Sequence, residues 1–140
     1  MKTVLAFILL VSAILAGNCG GNCPGNNCPS CPCGNTKKMV DIAAICKKHN
    51  WDQKCCNCIV KHESGGNAHA VNYNARLSDD SEEEMPGSSL DVGVFQINSI
   101  NWSCSGGKAP CDEEENLKCA VRIYGGRGWK AWSTAKACGC

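Results

Sequence analysis

Fourteen of the 140 residues are cysteine, and that density limits what the chain can become. Such a chain is stapled by disulfides or built around metal; it is not an ordinary cytosolic enzyme. The amino terminus weighs between the two. Lys2 is followed by an apolar run, Val4 to Leu15, and then by the small residues Ala16 and Gly17. This is the layout of a secretory signal peptide, with cleavage expected after Ala16 or Gly17. The run is too short to span a bilayer, which takes about 20 residues. No later stretch is apolar enough to do so, and no membrane partner is expected. Residues 1–17 therefore read as a signal peptide that delivers the chain to an oxidising exterior or lumen, where its thiols pair.

Residues 18–36 form a distinct arm. It holds Cys19, Cys23, Cys28, Cys31 and Cys33 among Gly, Asn and Pro, with almost no apolar side chains. Burial cannot fold such a segment, so cross-links must. Cys28-x-x-Cys31-x-Cys33 has a spacing that can share a zinc ion; in an exported chain a disulfide-stapled arm is the stronger reading, and no metal site is assigned. Five cysteines lie in the arm and nine in the rest, both odd numbers, so complete pairing requires at least one bridge between arm and body.

Residues 37–140 read as one α+β domain. Met39, Val40, Ile42, Ala43, Ile45 and Cys46 recur at helical intervals. Asp52 can cap a second helix through Cys55, Cys56, Ile59 and Val60, which Gly65-Gly66 ends just after Glu63. Residues 71–98, rich in Asn, Ser and Gly with short apolar alternations, predict a small antiparallel sheet with loops. The acidic run 78–84 inside it reads as a solvated loop. A third helix is expected from Glu113 to Tyr124, stopped by Gly125-Gly126, and a last one from Trp129 to Ala137. Without Lys2 the chain carries 13 basic and 13 acidic residues. That balance argues against a nucleic-acid partner, which needs a basic excess to neutralise phosphate.

Two carboxyls can carry chemistry. Glu63 ends an apolar helix, where partial desolvation favours its protonated form. Asp91 lies in a polar strand, whose hydrogen-bonding neighbours favour the charged form. Two carboxyls in contrasting environments suit glycosidic cleavage: one donates a proton to the leaving oxygen, and the other faces the oxocarbenium ion. Thirteen acidic residues allow many coincidental pairs, so this reading needs support.

The surrounding residues supply it. Residues 58–74 read CIVKHESGGNAHAVNYN and residues 91–98 read DVGVFQIN. In that order they resemble the chicken-type lysozyme family. The resemblance continues through Ile100-Asn101-Trp102-Ser103-Cys104, Asn116-Leu117-Lys118-Cys119-Ala120 and Trp129-Lys130-Ala131-Trp132, covering a little over half the chain. It implies a mostly helical, disulfide-rich α+β fold. It implies Glu63 as general acid and Asp91 as nucleophile or stabiliser. It also implies Trp129 as the apolar wall that lifts the pKa of Glu63; Trp132, for its part, reads as a core-packing side chain. Asn74 would hydrogen-bond Asp91; Gln96 and Asn98 would line the cleft; Trp102 would stack on or hydrogen-bond a sugar. Cys58 with Cys138, and Cys119 with Cys111 or Cys104, are the pairings the family suggests. Adjacent Cys55 and Cys56 face apart on a helix and so take different partners. His62 points away from Glu63 on the helix and is not assigned a catalytic role.

Three departures stand out. The stretch from Cys46 to Cys58 is short, the segment between Asn74 and Asp91 is long, and Asn101 stands where many relatives carry a second indole. Asn101-Trp102-Ser103 is also a glycosylation sequon; it is expected to stay unused if it lies in the cleft. The expected function is that of a monomeric, cofactor-free secreted muramidase acting on bacterial cell-wall peptidoglycan, with an antibacterial or digestive role. A lytic transglycosylase would need only Glu63, and a non-catalytic carbohydrate binder neither carboxyl. Near-zero charge suits an acidic lumen, phagosomal or digestive, where carboxylates and histidines titrate toward positive.

Overall fold

The computed structural model describes residues 17–78, 81–84 and 87–140. The expected signal segment, save Gly17, lies outside the described residues, as do Asp79 and Asp80 of the acidic run. No cysteine is free.

The arm is built as its composition requires. Cys19–Cys31 and Cys23–Cys28 close it on itself. Cys28, Cys31 and Cys33, the spacing that could share zinc, are all committed to disulfides. The bridge demanded by parity is Cys33–Cys111. Asn22 docks the arm from the inside. Only 1% exposed, its Nδ2 donates to the carbonyls of Gly34 and Thr36, and its Oδ1 accepts from Asn67 at 2.9 Å. Gly20 passes so close to the Asn35 carbonyl, at φ 66°, that no side chain fits there. Cys19, Cys23, Cys28 and Cys33 pack with Val71 and Val92 into a small second core. Disulfides and borrowed apolar surface thus replace the core that the arm lacks.

Helix α1 (Ile42–Cys46) is shorter than its periodicity suggests. Met39 pairs instead with Asn67 as a β-bridge, and Val40 N–H donates to the Gly66 carbonyl. Asp41 then starts the helix by accepting from Ala44 N–H at 3.0 Å, as a side-chain cap does. Helix α2 (Gln53–Glu63) follows the sequence closely. Asp52 caps it through Cys55 N–H at 2.7 Å. Gly65 and Gly66, both at positive φ, turn the chain away just past Glu63. Helix α3 (Glu113–Arg127) runs through Gly125-Gly126 rather than stopping there. A helical glycine costs about 1 kcal/mol and is tolerated; the stop comes at Gly128, where φ is 62°. The expected last helix is two 3-10 turns, Gly128–Ala131 and Ser133–Ala135. Trp132 between them is extended, and its indole N–H donates to the Phe95 carbonyl at 2.8 Å. That buried bond takes the place of a continuous helix.

Strands β1 (Val71–Asn74), β4 (Ser89–Val92) and β5 (Ile97–Asn98) form an antiparallel sheet with β4 in the middle. The register sets Asn72 and Asn98 on either side of Asp91. The acidic run is not a plain loop: β2 (Leu77–Ser78) pairs with β3 (Ser81–Glu84) as a separate ribbon. The main core joins Ile45, Ile59, Val60, Phe95, Leu117, Trp129 and Trp132. Cys46–Cys56, Cys55–Cys140, Cys58–Cys138 and Cys104–Cys119 bind the helices and the carboxyl terminus around it. Cys55 and Cys56 do take different partners, and the two family-like pairings are present. The architecture is α+β, helical with a small sheet.

Candidate active site

Glu63 ends α2, half-buried between the sheet and the carboxyl-terminal turns. Its Oε1 accepts a 2.7 Å hydrogen bond from the Thr134 hydroxyl. Burial pushes its carboxyl pKa up from the ordinary 4.5, and the charge of Asp91 pushes the same way; the Thr134 hydrogen bond and His62 oppose them. Desolvation penalises the charged form and dominates here. Ser64, the next residue, donates to the Val94 carbonyl at 2.7 Å. That bond ties the end of α2 to the turn after β4 and so sets Glu63 relative to Asp91.

Asp91 sits in the middle strand with an amide donor on each oxygen. Asn74 on β1 donates to Oδ2 at 2.7 Å, and Asn98 on β5 donates to Oδ1 at 2.8 Å. Register sets Asn98 directly opposite Asp91 on one side; on the other, Asn74 lies opposite Ser89 and reaches Asp91 diagonally across the strand pair. The Asn98 amide also reaches the Ser89 hydroxyl, while its Oδ1 caps Ile100 N–H. Its side chain is therefore spent on Asp91 and the following turn, not left for a sugar amide. Gln96, at φ 50°, donates to the carbonyls of Ala70 and Gly93 and so braces the floor.

Two hollows meet at these residues. One, about 590 Å³, and another, about 290 Å³, share Glu63, Asp91 and Gln96 on their linings. They are the two halves of a cleft that passes between the carboxyls. Asn98, Ile100, Asn101, Arg127 and Trp132 line the smaller half.

The two indoles change places relative to the sequence reading. Trp132, not Trp129, lines the cleft with Glu63. Trp129, which does not line either hollow, packs in the aromatic core, with ring centroids 5.0 Å from Trp51, 4.7 Å from Tyr124 and 5.7 Å from Trp132. The extended backbone at Trp132 and its bond to Phe95 hold that ring forward. Trp102 also differs from expectation. Its indole N–H donates to the Ile97 carbonyl at 3.1 Å, and its ring packs partly buried between the two cores. That donor is not free for a sugar. Exposed Ile100, 81% accessible, is the apolar surface offered on that side. Thr134 escaped the sequence reading altogether, since nothing near it in the chain marks a partner 71 residues away.

Thr134 permits a direct test. Its hydroxyl stabilises the ionised form of Glu63, so Thr134→Val raises the Glu63 pKa further. The basic limb of the kcat–pH profile should move to higher pH, and an unmoved or lowered limb would contradict this electrostatic assignment.

No family model matches the chain. It is 38% identical to lysozyme C-1 of Capra hircus over 57% of its own length and 65% of that protein's. It is 33% identical to lysozyme C of Halichoerus grypus, spanning 73% of this chain and 72% of the relative. The tracheal lysozyme C isozyme of Bos taurus is 30% identical, over 94% and 86% respectively. Against the C-1 and C-3 relatives from Capra hircus, Ovis aries and Sus scrofa, the chain spans 56–65% of their length. With the α+β fold in place and similarity reaching across most of two relatives, the chain belongs to the lysozyme C family.

Proposed function

We propose that the protein is an exported muramidase. It hydrolyses the β-1,4 bond between N-acetylmuramic acid and N-acetylglucosamine in bacterial peptidoglycan. The observation that carries this reading is the contrast between two carboxyls on one cleft: Glu63 is desolvated and biased toward protonation, whereas Asp91 accepts two amide hydrogen bonds. Glu63 gives its proton to the leaving oxygen as the anomeric C–O bond breaks. Asp91 meets the positive charge developing at that carbon from the other side. Water then enters with Glu63 as base, and configuration is retained. No step needs a metal or cofactor. Asp91 with its two donors favours hydrolysis over transglycosylation, which dispenses with a second carboxylate.

Seven disulfides fit an oxidising destination. Cleavage after Ala16 leaves Gly17 in the mature chain, where its backbone pairs with that of Cys28. A general acid with a raised pKa and a chain of near-zero charge both suit a mildly acidic setting, such as a phagosomal or digestive lumen. The test is clearing of a bacterial wall suspension across pH, with analysis of the ends produced. Clearing that peaks on the acid side and yields new reducing ends is expected. A peak above about pH 7 counts against the acidic setting. Anhydro-muramyl ends mark a transglycosylase, and binding without clearing marks a non-catalytic relative.

A further inference from the structure

The cysteine-rich arm takes no part in the chemistry above, yet it stands on the cleft. Gly21, Asn22 and Pro24, with Lys37 and Met39 just after the arm, line the larger half-cleft together with Glu63 and Asp91. A glycosidic bond cut between two carboxyls has a sugar on each side of it. One of those sugars must lie in this half, because the halves meet only at the carboxyls and Gln96. Resting on the muramidase reading, we infer that the arm is part of the substrate site and that its half-cleft holds a carboxylate-bearing sugar unit, with Lys37 facing the carboxylate.

Two further observations support this. The wall is rigid. Asn67, 7% exposed, donates to Asn22 of the arm and accepts from Lys38 N–H at 3.2 Å and His69 N–H at 3.0 Å. One buried amide therefore fixes both the arm and the backbone that carries Lys37, and Cys33–Cys111 anchors the far end. A wall ordered before binding loses less entropy on binding. The charges also match. Lys37 and His62 are the basic side chains on this lining, and its only carboxyls are the two that do the chemistry. Lys37 lies over Gly21 and has no carboxylate partner among the described residues, where the only ion pair is Lys48–Glu114. A cation left unpaired at a cleft wall complements an anionic ligand group.

The experiment compares kcat/KM on two probes: the hexamer of N-acetylglucosamine, which is neutral, and peptide-free glycan strands carrying lactyl carboxylates on alternate sugars. Wild type, Lys37→Glu, Lys37→Arg and Pro24→Trp are assayed after mass spectrometry shows every disulfide intact. Reversing one exposed charge should lower the charged-to-neutral ratio about three- to fivefold, and added salt should erase the difference. Lys37→Arg should keep the ratio near wild type. Pro24→Trp, which crowds the wall, should raise KM on both probes. An unchanged ratio in Lys37→Glu overturns the carboxylate assignment, and an unchanged KM in Pro24→Trp overturns the arm wall; either result sinks the inference while wild-type cleavage leaves the muramidase reading standing. Wild type cleaving neither probe removes both.

Discussion

Glu63→Gln should lower kcat on wall glycan by about 10²–10⁴-fold, the usual contribution of a positioned general acid. Gln is close in size and keeps a group that Thr134 can donate to, so the variant should fold with its cleft intact. Asp91→Asn should cost a similar factor, because it removes the negative charge facing the oxocarbenium ion and turns an amide toward the Asn74 and Asn98 donors. If Asp91→Asn retains nearly full activity while Glu63→Gln is dead, Asp91 is not the partner. The same Glu63 variant has a stability signature of opposite sign. The raised pKa means that the fold disfavours the Glu63 anion. Below the ordinary carboxyl value near 4.5 both folded and unfolded chains hold the proton, and no penalty arises. As pH climbs through the raised value the penalty appears in full. Glu63→Gln should therefore be more heat-stable than wild type at neutral pH, and the gap should close in acid. Equal stability at every pH would show that burial does not strain this carboxyl.

Asn116→Leu should destabilise the protein by about 3–5 kcal/mol, read as a fall in the urea midpoint of the disulfide-intact chain. Asn116 is 0% exposed on α3. Its Nδ2 donates to the carbonyls of Val92 at 2.9 Å and Pro110 at 2.7 Å, and its Oδ1 accepts from Phe95 N–H at 2.8 Å. Leucine keeps the branched shape but has no polar atoms, so all three buried groups lose the side-chain partner that Asn116 gave them. Gly93→Ala should cost a comparable amount by a different route. At φ 81°, with a Cβ that would fall on the Asn116 amide and 3.0 Å from the Pro110 carbonyl, the residue has neither the backbone freedom nor the space. Both changes strike the turn between β4, which carries Asp91, and β5, which carries Asn98. Activity should therefore fall along with stability. A cost below about 1 kcal/mol for Asn116→Leu would mean that this turn holds itself without the helix.

The parts readable from the chain alone are those in which the cause lies within a few residues. Asp52 caps α2 because an acceptor stands three positions from an orphan N–H. Glu63 falls at a helix end because two glycines follow that can take positive φ. The arm had to be cross-linked, and cross-linked to the body, because it has almost no apolar side chains and an odd count of cysteines. Tertiary packing decided the rest. Met39 joined a β-bridge instead of a helix because Asn67 offered an edge 28 residues away. Trp132 came forward and Trp129 went back because one buried carbonyl, that of Phe95, captured one of two nearly equivalent indoles. Thr134 reached Glu63, Asn116 reached the turn after β4, and the arm came to wall the cleft through contacts between distant segments. Capping and periodicity act over one or two turns, whereas which far segments meet depends on how the whole core closes.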